Sequence, residues 1–235
     1  MNINLFFLVS SWRQRLTYFK HIHWQTSSTK FVLWLTILNI GLYNLPVILF
    51  AVANLDYLSL NGILTITTIL VVIFIFTYTF LTLFSVVHPY ITKLFCILVA
   101  LSNSLALYFV FTYQIVLDVT MISNILNTNI TEASSYFHPK LILYFLILGI
   151  IPAWLILKTH IYPVNRKGLL LHALIIFFLS ISWIYLNAST WLWIDKNSKH
   201  LGSRIMPWSY IGNLVQNQTA HLQGQTEQKM LPPAI

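Results

Sequence analysis

Long apolar runs, broken by short polar segments, set the organisation of this chain. Between Lys30 and Asp56 stand 25 uncharged residues, Phe31 to Leu55. A second run, rich in Ile, Leu and Phe, extends from Leu58 to Val87 and closes at His88-Pro89. The third lies between Lys93 and Asp118, the fourth between Lys140 and Lys158, and the fifth between Lys167 and Asp195. A helix crosses the hydrocarbon core of a bilayer with about 20 residues at about 1.5 Å each. The fourth run has 17 residues between its bounding lysines, and snorkelling of the lysine stems lengthens it. Only helices satisfy the backbone in lipid without closing a barrel. The pattern therefore predicts an all-α membrane protein, a bundle of five transmembrane helices.

Composition agrees. The 235 residues are 57% hydrophobic and 8% charged, with mean hydropathy +0.75, more apolar surface than a soluble domain of this length can hide. The net charge of +8 does not point to nucleic acid, because the basic residues sit at the ends of apolar runs rather than in one patch. With the N-terminus inside, the inner segments carry Arg13, Arg15, Lys20, Lys30, Lys93, Lys158, Arg166 and Lys167, eight in all. The outer ones carry Lys140, Lys196, Lys199, Arg204 and Lys229, five in all. That bias predicts a cytoplasmic N-terminus and a periplasmic C-terminus. All the acids, Asp56, Asp118, Glu132, Asp195 and Glu227, then fall outside.

Residues 1–30 form a basic, aromatic-rich cytoplasmic flank, either a helix lying in the interface or an ordinary flank. Residues 31–201 form the five-helix domain, with a periplasmic loop over 118–140. From Gly202 the composition shifts to Asn, Gln and Pro and reads as a periplasmic linker over 202–235, with a further domain expected after it. No signal-peptide pattern precedes the first run. Cys96, the lone cysteine, lies inside an apolar run and reads as a buried, inert thiol.

Candidate chemistry is sparse. The eight histidines are scattered, and His21-x-His23 alone is a weak metal signal, so capping or interfacial roles account for them better. No Gly-rich phosphate loop, Ser/His/Asp set or Cys/His set stands out. The Asn-x-Ser/Thr triplets at Asn129, Asn187 and Asn217 read as accidental, since Asn187 falls inside the expected fifth span. No run carries a charge in its middle, which counts against an ion-coupled transporter.

The segment after the third run differs. Asp118, Asn124, Thr128 and Glu132 occur there, the last three at every fourth position. If helical, those three line one face. A carboxylate would pair with an ammonium, while an amide and a hydroxyl would hydrogen-bond phosphate oxygens, which together suit a zwitterionic head group. The alternative is a solvated loop in which Asp118 and Asn124 only cap helix ends.

The stretch YFVFTYQIVLDVTMISNILNTNITEA, with Tyr108-Phe109, Tyr113, Asp118, Met121, Asn124, Thr128, Glu132 and Ala133, resembles the membrane-domain signature of the lipid A phosphoethanolamine transferases, the family that includes the mobile colistin-resistance enzymes. Tyr43-Asn44-Leu45-Pro46, Leu148 to Ala153 and, more loosely, the SRIMPWSYIGN segment around Arg204 to Asn213 match as well. The resemblance implies a five-helix domain of the bacterial inner membrane that binds the donor phosphatidylethanolamine through Asn124, Thr128 and Glu132, with Asp118 and Tyr113 beside them. The acceptor would be lipid A or a core sugar, and polymyxin resistance the outcome. It implies no catalytic residue and no cofactor in this chain. A threonine nucleophile and zinc are expected in a sulfatase-like catalytic domain beyond it, so the chain alone is expected to be inactive. The family often has Glu or Gln at the position of Asn127 and Asp at that of Asn129; here Glu132 is left as the carboxylate for an ammonium. A non-catalytic lipid-binding or flipping protein, or a partner subunit for a separate catalytic domain, is the alternative, with a small transporter third.

Overall fold

A computed structural model describes residues 24–129, 131, 137–162 and 165–230, the stretch 221–230 by backbone alone. The flank expected over 1–30 lies outside these residues up to His23. From Trp24 to Ser27 it is a strand, β1, paired in parallel with β2 (Thr159–Tyr162) in the register Trp24↔Thr159 to Ser27↔Tyr162. This two-stranded ribbon has no counterpart in the sequence reading.

The rest is helical. The first apolar run becomes α1 (Ser28–Tyr43) and α2 (Leu45–Asn54), bent by 55° at Asn44. Then come α3 (Leu60–Val87), α4 (Pro89–Tyr113), α5 (Val119–Asn127), α6 (Pro139–Lys158) and α7 (Arg166–Leu186). Short helices α8 (Trp191–Lys196) and α9 (Ser198–Gly202) precede the long α10 (Trp208–Met230). Four helices, α3, α4, α6 and α7, are long and apolar enough to cross a membrane, and the bent α1–α2 pair makes up to five. The fifth span ends at Leu186 rather than near Asp195, because the Asn187 amide turns back onto the Trp183 carbonyl at 2.9 Å. Asn187 thus sits at the span's end, not inside it.

Polar residues at the run boundaries start the helices. Ser59, Asp118 and Asn165 each place a side-chain oxygen on a backbone N–H of the first turn. His88 and His138 do so through Nδ1, at 3.3 and 3.1 Å, each followed by a proline at the first helical position. Two of the scattered histidines are therefore caps. Cys96 is a free, buried thiol.

α3 and α4 form the centre of the bundle, with α7 and α1 packed on α3 and α6 on α4. Of its most apolar stretch α3 buries 44% and α7 only 11%, which makes α7 the peripheral helix. Gly149 permits the α4–α6 contact: a Cβ there would stand 2.7 Å from Ser104 Oγ.

Prolines shape the two irregular spans. Pro152 has no N–H for the Leu148 carbonyl four residues earlier, and α6 widens into a π-turn over Phe145–Ile150. The hydroxyl of Tyr43, which ends the π-turn Asn39–Tyr43 of α1, donates to that Leu148 carbonyl at 2.7 Å. Tyr43→Phe is expected to lower stability in detergent by about 1 kcal/mol, read as a shifted unfolding midpoint, because it removes this interhelical hydrogen bond.

The chain beyond α7 turns back into the bundle. Trp193 lies near Thr65, Leu201 packs with Ile69 and Ile73, and Trp208 Nε1 donates to Thr77 Oγ1 at 3.1 Å. Thr65 to Thr77 is about 18 Å along α3, so this descent is deep. At its foot Asn44 holds the Met206 backbone from both sides. Its amide nitrogen donates to Met206 O at 2.9 Å, and its oxygen accepts from Met206 N at 3.0 Å. The Met206-Pro207 peptide is cis. α10 then climbs along α4 and α5. The tail read as a linker is therefore helical from Trp208 to Met230, its first turns seated on the bundle.

Candidate functional site

α4 stops at Tyr113 because Gln114 adopts the left-handed conformation, φ 54°. The chain runs unwound to Asp118, whose carboxylate accepts from Met121 N at 2.8 Å and opens α5. An acid here satisfies an orphan donor and faces the positive end of the helix. This is the capping role held open for Asp118. Asn124, in the middle of α5, caps nothing.

α5 buries Ile122 and exposes Asn124 through Asn127. The helix ends where Asn127, Thr128 and Asn129 follow one another, residues whose side chains compete for backbone partners. Thr128 is already extended, at φ −67° and ψ 128°, and its hydroxyl donates to the Asn124 carbonyl at 2.8 Å. The fourfold spacing therefore joins Asn124 to Thr128 but does not continue beyond Thr128 as one helix. Glu132 lies outside the described residues. Asp118 precedes Asn124 by about 240° of helical rotation, so these two do not share a face. The Asn124 amide bonds no other described residue, which leaves its donors and its acceptor available.

The end of α4 that leads into α5 carries an aromatic group. Tyr113, half-exposed, stacks on Phe109 at 5.8 Å and meets the edge of Tyr108 at 5.9 Å, with the two hydroxyls 3.5 Å apart. Tyr144 of α6 closes on Tyr108 from the other side at 5.9 Å. Tyr108 itself is buried. Tyr113 is thus held by α4, with its ring at the surface of the bundle.

α10 secures this end. Asn213 Nδ2 donates to the Leu117 carbonyl at 2.6 Å, one residue before Asp118. Tyr210 donates to Asn103 Oδ1 at 2.9 Å, and burial raises its phenol pKa, which keeps it a donor. These anchors, with Asn44 and Trp208, are what sequence reasoning missed. A signal existed: Ile205, Met206, Trp208, Tyr210, Ile211, Leu214 and Val215 make the head of the tail apolar and aromatic before the Asn- and Gln-rich part begins. The resemblance segments around Asn44, Leu148 and Met206, far apart in the chain, meet through the Asn44 and Tyr43 bonds. Among the described residues, no three His, Cys, Asp or Glu side chains gather as a metal site.

The family model described as Phosphoethanolamine transferase EptA/EptB matches residues 73–222. The curated phosphoethanolamine transferase EptA of Helicobacter pylori is 28% identical over 172 residues, which cover 73% of this chain and 32% of that protein. Among solved structures, the integral membrane protein lipooligosaccharide phosphoethanolamine transferase A (EptA) of Neisseria meningitidis superposes with TM-score 0.75 at 19% identity, over 89% of this chain and 38% of that one. At that identity the superposition shows the fold alone. The chain spans about a third of the length of these relatives. The family match, the shared membrane fold and up to five apolar spanning helices agree, and the chain belongs to the phosphoethanolamine transferase EptA/EptB family as its N-terminal, multi-pass inner-membrane domain.

Proposed function

We propose that this domain binds and positions phosphatidylethanolamine for a transfer reaction of the whole protein, in which phosphoethanolamine passes to lipid A or a core sugar. The Asp118–Lys140 end is periplasmic in this reading, as the Lys/Arg bias predicts. One observation carries the proposal: Asn124 and Thr128 are joined at the end of α5, the helix that follows Tyr108 and Tyr113 in the chain and is fastened through Leu117 to α10. The Asn124 amide suits a phosphodiester oxygen, and Glu132 would supply the carboxylate for an ammonium.

The domain's contribution is entropic. A donor held at a fixed depth and orientation reacts as one component rather than two. Zinc, where the family binds it, would polarise a phosphoryl oxygen, and no donor set for it stands among the described residues. The 235-residue chain by itself is expected to bind donor lipid without turning it over. Turnover of a fluorescent phosphatidylethanolamine analogue by the purified chain would contradict that.

In the full-length protein, Asn124→Ala, Thr128→Ala and Glu132→Gln are each expected to lower kcat/KM for the donor about tenfold, mainly through KM, as for the loss of one hydrogen bond to a charged group. Unchanged donor KM in stably inserted variants would remove these residues from the site.

A further inference from the structure

A cavity of about 280 Å³ opens where α2 turns into α3, built from elements other than α5 and its neighbours. Asp56, Ser59, Asn61 and Thr65 line one side; Thr190 and Trp193, from the chain after α7, line the other. The corner is tightly made: Ser59 caps α3 through Gly62 N at 3.1 Å, and a Cβ on Gly62 would run into the Asp56 carbonyl.

Three hydroxyl hydrogens of this wall are committed, while the Ser189 hydroxyl, also in the lining, bonds no described residue. Ser59 donates to Asp56 O, Thr65 to Asn61 O and Thr190 to Asn187 O, each at 2.7 Å. Their oxygens therefore face a ligand as acceptors. One Asp56 carboxylate oxygen takes a long bond from Leu58 N at 3.3 Å, and no cation pairs with it among the described residues. The carboxylate, three acceptor hydroxyls and the indole suit a donor-rich cation, while the Asn61 amide and the Ser189 hydroxyl remain as donors for the phosphate oxygens of a zwitterion. One carboxylate is few for a divalent ion, which gathers six or more oxygens. Leu58 and Leu60 flank the carboxylate at 80% and 71% exposure, which gives an attached apolar chain a surface to follow.

We propose that this cavity is a second head-group site, which takes the ammonium of an amine-bearing zwitterionic lipid on Asp56 and Trp193. It goes beyond the donor site at Asn124 and Thr128 and does not depend on that site being correct.

The full chain in nanodiscs of phosphatidylethanolamine and phosphatidylglycerol, released and weighed by native mass spectrometry, reads the bound lipids. Asp56→Asn and Trp193→Leu are expected to lower phosphatidylethanolamine retention at one site, the former roughly five- to tenfold. Phosphatidylglycerol should be unaffected, and Asp56→Glu should restore retention. The loss should be the same in an Asn124→Ala background, which separates this site from the donor site. Equal retention in Asp56→Asn, or parallel loss of both lipids, overturns the proposal. Filling of the cavity by free ethanolamine with no lipid requirement overturns the lipid assignment.

Discussion

Asn44→Ala should release the Met206 strap and destabilise the domain by about 4 kcal/mol. Asn44 and Met206 are both fully buried. The Asn44 nitrogen serves Met206 O, Asn39 Oδ1 at 2.8 Å and Asn39 O at 3.1 Å, while its oxygen takes Met206 N. The orientation of the amide is forced, since an N–H stands on one side and a carbonyl on the other. Alanine leaves both Met206 groups and the Asn39 oxygen without partners in apolar surroundings, at about 1–3 kcal/mol for each stranded group. Partial relaxation brings the sum below its ceiling. Asn44→Asp is the sharper variant: it keeps the acceptor for Met206 N but sets a carboxylate oxygen against three other oxygens. It should be worse than alanine by unfolding midpoint in detergent, and a milder effect would show that the amide nitrogen is not the gripping group. Trp208, two residues on, should become accessible to a polar quencher in either variant.

The second large effect is expected at Gly149. Alanine there places a carbon 2.7 Å from Ser104 Oγ, and Ser104 is fully buried with its hydroxyl bonded to Leu101 O at 2.7 Å. The serine cannot swing away without losing that bond, so α4 and α6 must part. The cost of such overpacking is about 2 kcal/mol. Ser104→Ala in the same chain removes the clashing oxygen and leaves only a 3.3 Å approach between the two Cβ atoms. The double variant should therefore recover most of the loss. Additive costs would show that the two residues do not touch.

The spans were legible because apolar length is a one-dimensional signal that a bilayer enforces residue by residue. Capping at His88 and Asp118 was legible for a similar reason, since it is local. What the sequence hid was long-range. Nothing in the tail announces that Met206 lies against Asn44, 162 positions away, or that Trp208 reaches Thr77. A polar tail with a short apolar head reads as a linker until its partners are known. At the candidate site the fourfold spacing links Asn124 to Thr128, and α5 itself ends at Asn127. Asp118 was open to two readings, and the backbone claims one of its oxygens. Asp56 was seen only as one more acid at a boundary, because the cavity beside it is completed by Thr190 and Trp193 from the far end of the chain.

A phosphatidylethanolamine carrying a photoactivatable group on its head group, incorporated into inner-membrane vesicles that hold the full chain, tests donor holding most directly. Cross-links mapped by peptide mass spectrometry should fall within residues 113–140 and should weaken in Asn124→Ala and Thr128→Ala. No adduct in that segment, with the probe attached instead near Lys93 and Lys158 at the opposite end of the bundle, would contradict it.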